Sequence, residues 1–412
     1  MGRQTCPVCG NVRASLESVC RICGHDHLTV PEVPPRIEEQ PGLLETLPLR
    51  RIAAVVLVCA IGGWLWLQPE PTLVWTARLS GQEEITTSPL LVDGLVVVGS
   101  SQGRVHAFDA ATGRLRWTYQ TDADRVTAEL RSAGDTILAV CDTQLYALSS
   151  ASGEELWVYG DERTIHAAAL TDREVLVSTE NSIRAVSIAD GEPIWELPSP
   201  EGQSPQASIV IGGVIYTGFT IENDEARQGV QTPQEGGIRA VDLESGQLIW
   251  SASARPARHP PIVSFDAVCG VDAQGNAGAV FALDRKTGMP LWQALGPTTA
   301  IALADSRIFY ARQYQTLRDQ PMKGEFAALD IHTGRKLWAT PFRGAPVTSP
   351  CILGTTVCFG QGARLVALDQ ESGKEVWEIA LPGEARRFPV ADDAQRIFVA
   401  AGTNILSAVA FK

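Results

Sequence analysis

An eleven-residue phrase, written ALDIHTGRKLW at residues 328–338, recurs in close variants along the chain. The other copies are AFDAATGRLRW from Ala107, ALSSASGEELW from Ala147, AVSIADGEPIW from Ala185, AVDLESGQLIW from Ala240, ALDRKTGMPLW from Ala282 and ALDQESGKEVW from Ala367. Seven copies constrain the fold more than any single motif does, because a catalytic site is needed once and a structural joint many times. The tryptophans that end the copies lie 38 to 46 residues apart, with one wider gap of 55 between Trp195 and Trp250. That period marks a repeat architecture. Within 412 residues, an apolar fraction of 45% and 37 glycines suit a globular chain rich in turns; they do not suit disorder or a multi-span membrane protein.

Two more short strands lie between copies of the phrase. In SPLLVDGLVVVGS, Ser88 to Ser100, the dipeptide Asp93-Gly94 is a two-residue hairpin turn. The unit therefore has four strands: A ending near Val92, B from Leu95, C as RVHAFDA from Arg104, and D as LRWTY from Leu115. Four-stranded sheets repeated at about 40 residues are propeller blades; a solenoid needs shorter periods, and a sandwich does not repeat in sequence. Trp75, in LVWTARL, belongs to a D strand with no blade before it, and LSAVAFK from Leu406 is a C strand with no D strand after it. Each supplies what the other lacks. The expected fold is all-β: an eight-bladed propeller over residues 72–412, its last blade completed by the N-terminal strand so that no sheet edge is free.

Each position of the phrase has a physical reading. Alanine is small where neighbouring blades come close. Asp, or Ser149 and Ser187 in two copies, can bond the backbone of the turn, and Gly takes the positive φ that the C to D turn needs. Tryptophan fills the gap between blades, its N–H reaching a turn carbonyl. The expected docking residues are Trp75, Trp117, Trp157, Trp195, Trp250, Trp292, Trp338 and Trp377.

The front of the chain is different. CPVCG at residues 6–10 and CRICG at 20–24 give C-x2-C-x10-C-x2-C, two thiolate pairs able to converge on one tetrahedral ion. Residues 1–27 are expected to form a zinc ribbon with Cys6, Cys9, Cys20 and Cys23 as ligands; the alternatives are a redox dithiol pair or four free cysteines. So short a unit cannot bury enough apolar surface to fold alone, so the structural zinc would supply its folding energy. After a Pro- and Glu-rich linker, 28–49, residues 50–68 hold sixteen uncharged residues from Ile52 to Leu67 behind Arg50 and Arg51. They read as one transmembrane helix, with Trp64 and Trp66 at the far interface. The paired arginines place the N-terminus in the cytoplasm and the repeats outside it, periplasmic or extracellular, and four zinc thiolates suit the reducing side. The first 51 residues hold six Arg and six acidic residues, and 52–67 hold no charge, so the whole net charge of −13 belongs to residues 68–412. An acidic repeat domain does not suit a nucleic-acid partner.

From Leu73 to Phe411 the repeats resemble the PQQ-like repeat superfamily, which holds the quinoprotein alcohol dehydrogenases and the non-catalytic BamB-type assembly propellers. The phrase does not separate the two groups. The dehydrogenases carry a vicinal Cys-Cys pair over the cofactor, and this chain has no adjacent cysteines and no CxxCH haem site. No motif matches their calcium-binding or catalytic residues either, so PQQ is not expected and the resemblance implies a protein-binding scaffold. The histidines at 106, 166, 259 and 332 fall on different blades and read as ordinary surface or loop residues.

The repeat is interrupted by longer B to C loops from Phe219, Gly270 and Ala311, in consecutive blades four, five and six. In a propeller these share one face. Arg227, Arg312, Tyr314 and Arg318 are the candidate partner-binding residues there, against the alternative that the insertions are merely tolerated. Cys351 and Cys358 flank the Gly354-Thr355 turn symmetrically and are placed to form a disulfide. Three functions remain: a membrane-anchored scaffold in envelope assembly, a PQQ-dependent or degenerate oxidoreductase, and a transmembrane sensor coupling a ligand on the propeller to the ribbon. A calcium and PQQ titration separates the second from the first. Oligomeric state is left open.

Overall fold

The structure is a computed structural model that describes residues 4–5, 12–13 and 70–411, except 222–234, 256, 258, 273–277, 296–300, 315–322 and 345–346. The chain divides into two units, Met1–Gln68 and Pro69–Lys412. In the first, Gln4 pairs with Arg13 and Thr5 with Val12, on either side of the first CxxC. The four expected zinc ligands, the linker and the expected span lie outside the described residues. Among those described, no helix is long and apolar enough to cross a membrane.

The second unit is built of eight four-stranded antiparallel sheets, each a meander A-B-C-D. Blade 1 comprises Leu90–Val92, Leu95–Gly99, Arg104–Asp109 and Leu115–Gln120. Six more blades follow in sequence. The eighth is assembled from both ends: Val390–Ala391, Ile397–Ala401 and Ile405–Phe411 supply A, B and C, and Pro71–Arg78 supplies D. Pro71 lies opposite Phe411 and Arg78 opposite Ile405, and Thr72 Oγ1 donates to the Ala410 carbonyl at 3.1 Å across 338 residues of sequence. The expected eight-bladed ring and its N-terminal closing strand are therefore both present.

Eight hydrophobic clusters hold the ring, and each lies between two neighbouring blades. A B or C strand is covered on both faces, so it reads as a short continuous apolar run such as LVVVG or TILAVC rather than an alternation. The D strands alternate, as in LRWTYQ, where Trp117 is buried and its neighbours are exposed. The alanine that opens each phrase pairs directly with its own tryptophan, as Ala107 does with Trp117. A bulge follows immediately and shifts the register before the C to D turn.

Candidate functional site

The joints come first, because they account for most of the repeated chemistry. Trp75, Trp117, Trp157, Trp250, Trp292 and Trp338 each donate Nε1–H to a carbonyl of the following blade, those of Ala110, Ser150, Ile188, Arg285, Ile331 and Gln370, at 2.8–3.1 Å. The indole lies flat beneath the phrase glycine of that next blade. A Cβ on Gly153 would sit 2.5 Å from Trp117 Cδ2, and its φ of 74° is one that other residues avoid, so glycine is required twice over. Five phrase carboxylates, of Asp109, Asp242, Asp284, Asp330 and Asp369, accept the hydroxyl of the Thr or Ser three residues on at 2.6–2.8 Å. That bond holds each of them below the usual carboxylate range.

Two indoles behave differently. Trp195 is half-buried in the joint between blades 3 and 4, at the margin of a cluster that includes Leu176, Ile215 and Val241, and a Cβ added to Gly246 would meet no atom within 4 Å. Trp377 meets Phe411 edge-on at 5.1 Å in place of a turn glycine, because blade 8 has no phrase of its own.

The face formed by the D to A and B to C connections carries the interrupting loops and the mouth of the central channel. The B to C hairpins of blades 4 and 6 have eight-residue stems, Val214–Ile221 with Glu235–Asp242 and Arg307–Tyr314 with Lys323–Asp330, against five or six residues per strand in blades 1, 2 and 7. Arg312 is half-buried on the blade 6 stem, opposite Glu325, whose carboxylate accepts from Lys336 Nζ at 2.7 Å. Tyr314 ends that strand opposite Lys323. Arg227 and Arg318 lie outside the described residues, as does the side chain of Tyr314.

Inside the mouth, a cavity of about 240 Å³ is lined by Thr86, Thr127, Glu129, Arg131, His166 and Arg387 among others. Glu129 is already committed: its carboxylate accepts from the Ser88 N–H at 2.7 Å and the Ser88 hydroxyl at 3.3 Å. Burial pulls the Arg131 guanidinium below its ordinary value, against the pull of Glu129. Among the described residues, no group of three or more His, Cys, Asp or Glu is placed to hold a metal ion. A single carboxylate, already bonded to Ser88, is a poor donor set for a calcium ion, whereas the two arginines suit an anionic group.

His106 departs from the expectation of a surface histidine. It is 6% exposed; its Nε2 lies 2.8 Å from Glu83 Oε1 and its Nδ1 3.0 Å from Thr118 Oγ1. Glu83 is wholly buried and also accepts from the Ser100 hydroxyl at 2.5 Å and from Arg104 Nη1 at 3.4 Å. Nothing in the spacing of these residues announces the cluster. It pins the connection from the closing strand to blade 1. Burial raises the Glu83 carboxyl, but the bonds from His106 and Ser100 and the charges of His106 and Arg104 outweigh it and leave it below 4.5. A carboxyl lowered in the folded state stabilises the fold fully above its unfolded value, and that contribution is lost as pH falls through the folded value. Glu83→Gln is expected to cost about 1–3 kcal/mol at pH 7, and to flatten the acid limb of stability against pH. Urea titrations from neutral to acid pH check both.

On the opposite face, formed by the A to B and C to D turns, a cavity of about 580 Å³ opens between blades 4 and 5. Its floor includes Val214, Tyr216, Ala240 and Trp250, and its rim carries Phe265, Asp266, Arg285 and Lys286. At the joint between blades 1 and 2, by contrast, the turn residue Asp93 reaches across to the Ser150 hydroxyl at 2.7 Å. The equivalent turn of blade 4 is Gly212-Gly213, with no side chain to send across. Arg285 reaches across from the other side instead: Nε donates to Tyr216 OH at 3.0 Å and Nη1 to the Ser264 carbonyl at 3.1 Å, with the guanidinium beside Gly212. Sequence reasoning did not single out this site. The available signal was Phe265, an aromatic at a turn apex where the other blades carry residues such as Asp93-Gly94, Asp305-Ser306 and Gly354-Thr355.

Cys351 and Cys358 are direct partners across the A to B hairpin of blade 7, both as free thiols. The bond shared with Cys358, together with burial, pushes the Cys351 thiol well above its ordinary value.

A closed ring of eight PQQ-like blades, with its chemistry spent on joints and its open surfaces on two faces, defines a repeat propeller. The family model described as outer membrane protein assembly factor BamB matches residues 68–157, 127–317, 230–351 and 353–412, and the chain belongs to that family. It is 32% identical over 210 residues to the outer membrane protein assembly factor BamB of Burkholderia pseudomallei, a match covering 46% of this chain and 50% of that protein. It is 26% identical over 178 residues to the quinohemoprotein alcohol dehydrogenase of Comamonas testosteroni, covering 43% of this chain but 21% of the enzyme. The chain thus spans about half of the first relative and a fifth of the second. The crystal structure of BamB from Moraxella catarrhalis superposes with a TM-score of 0.63 at 17% identity, over 83% of this chain and 98% of that one, a likeness of fold.

Proposed function

We propose that the chain is a membrane-anchored, non-catalytic interaction scaffold of the cell envelope, serving outer-membrane protein assembly as the names of its BamB relatives describe. In this reading residues 50–68 anchor the propeller outside the cytoplasm, and Cys6, Cys9, Cys20 and Cys23 hold a structural zinc on the cytosolic side. The observation that carries the scaffold reading is the pair of lengthened B to C hairpin stems in blades 4 and 6, which extend one sector of one face beyond what the ring needs. Extra paired strand at a loop base costs the ring nothing in its joints and gives a partner a rigid support.

The test uses affinity capture with the full-length chain. Replacing 315–322 by a short Gly-Ser turn is expected to lower partner capture on the order of tenfold, with the urea midpoint unchanged. Equal capture by both chains rejects a role for that loop, and loss of folding shows that the insertion belongs to the ring.

A further inference from the structure

We propose that the cavity inside the mouth binds a small organic acid without a metal, its carboxylate held by Arg131 and Arg387 and its carbon body by Ala168, Ala207 and Pro260. The proposal does not rest on the scaffold reading, which concerns the lengthened hairpins.

Both arginines are departures from the repeat. The A to B hairpins align by register, and the residue two places before the closing pair of each is apolar or cysteine in the other seven blades, as with Leu90 in blade 1 and Ile262 in blade 5. In blade 2 that residue is Arg131. Blades 1 and 7 open with Thr-Ser-Pro, in which Thr87 and Thr348 accept the N–H of the B-strand glycines Gly99 and Gly360 at 2.9 Å. Blade 8 has Arg387-Phe388-Pro389 instead. A guanidinium has no acceptor, so Arg387 gives up that bond to its own sheet.

Neither arginine serves the ring in return. Among the described residues Arg131 donates only to the Leu130 carbonyl, at a long 3.4 Å, and Arg387 forms no hydrogen bond or ion pair. Burial lowers the Arg131 guanidinium, as expected where water is scarce and no counter-charge touches it. Thr86 is an independent sign. It is 8% exposed, lines the same cavity, and its hydroxyl has no partner. An unpaired buried hydroxyl is costly, and a bound carboxylate oxygen satisfies it.

The charge around the cavity favours an anion. Two guanidiniums stand against one carboxylate; Glu129, counted in full, leaves one positive charge, and it bonds Ser88 rather than either arginine. Beyond Arg387, an adjoining cavity is lined by Glu84, Glu384 and Arg386 as well. Both of those carboxylates are exposed, where water and salt screen them. The attraction is therefore local to donors held inside the smaller cavity. Its volume of about 240 Å³ lies below the roughly 300–1,000 Å³ usual for drug-sized ligands, so the ligand is of small-metabolite size. Three alanines and Pro260 complete the lining, which suits a short carbon body better than a bare inorganic ion.

The test is calorimetric titration of the full-length chain with succinate, malate, glutamate, lactate and benzoate, beside phosphate, sulfate and neutral succinamide, with calcium added or chelated. Saturable binding of at least one carboxylate is expected, tighter than phosphate or sulfate and indifferent to chelation, with none for succinamide. Arg131→Leu restores the residue type of the other blades and Arg387→Thr that of blades 1 and 7, so both are expected to keep or raise the urea midpoint. Each is expected to weaken binding on the order of tenfold or more, and Thr86→Val severalfold. No binding of any carboxylate at millimolar concentration overturns the proposal. So do binding of phosphate or sulfate alone, saturation by succinamide, a requirement for calcium, or equal affinity in wild type and Arg131→Leu. Should Arg131→Leu fail to fold, unchanged affinity in Arg387→Thr and Thr86→Val overturns it instead.

Discussion

Removal of residues 70–79 is expected to abolish cooperative unfolding, and moving the same segment to follow Phe411 through a short turn is expected to restore it. The closing strand contributes more than its own length. Its loss bares the C strand of blade 8 along Ile405–Phe411, removes Trp75 from the Ala110 carbonyl, and opens the cluster in which Phe108, Phe398 and Leu406 meet. Blade completion and ring closure fail together, because blade 8 without its D strand cannot dock on blade 1. An unpaired C strand in the middle of an apolar cluster is also a site for intermolecular pairing, so soluble aggregate is the expected product. Relocation works in principle because the pairing is antiparallel and Pro71 lies opposite Phe411, so a tight hairpin joins them without disturbing the register. Near-ultraviolet circular dichroism and sedimentation of the truncated and permuted chains check the outcome. A truncated chain that unfolds with an unchanged midpoint would falsify the closing role.

Trp117→Ala and Trp338→Ala are each expected to cost about 3–5 kcal/mol, and Trp195→Ala no more than about half of that. Trp117 is 9% exposed and bonded at 2.9 Å, and Trp338 is bonded at 2.9 Å with Phe309 6.0 Å away, so truncation leaves a cavity and an unpaired carbonyl. Trp195 has neither the bond nor the glycine beneath it. The joint it occupies has six fully buried apolar residues in its cluster, against eight to twelve at the others. It also takes in Arg239, 8% exposed above the Phe219 ring at 4.3 Å, with Nη2 unbonded. Burial lowers that guanidinium, a sign of charge held where water is scarce. Urea midpoints for the three variants, compared under one set of conditions, test the ranking. Equal losses would remove the distinction between joints.

What the sequence discloses follows from what repeats. Ring size was legible because each joint needs the same alanine, glycine and tryptophan, and because Trp75 and LSAVAFK are unmatched fragments of one blade. The exception at Trp195 was not, since ALSSASGEELW and AVSIADGEPIW lead to ordinary docking while AVDLESGQLIW, with the same letters, does not receive Trp195. The difference lies in how blade 4 packs, and no local pattern encodes it. The Glu83 to His106 cluster was hidden for a related reason: its members come from a connection, a turn and two strands, and meet only in three dimensions. The recess between blades 4 and 5 is an intermediate case. Gly212-Gly213, Phe265 and Arg285 are each visible as departures from their counterparts in other blades, but their convergence on one gap needs the ring.

The closure also sets a timetable for synthesis. The strand Pro71–Arg78 leaves the ribosome before any blade exists, and its partner Ile405–Phe411 follows some 338 residues later. In the interval the earlier joints can form in order along the nascent chain, each between blades already translated, while the first strand waits with its hydrogen-bonding edge unclaimed. A translation arrest before Phe411 therefore releases an open arc with two bare sheet edges, one at each end. Only the strand Ile405–Phe411 turns that arc into a circle.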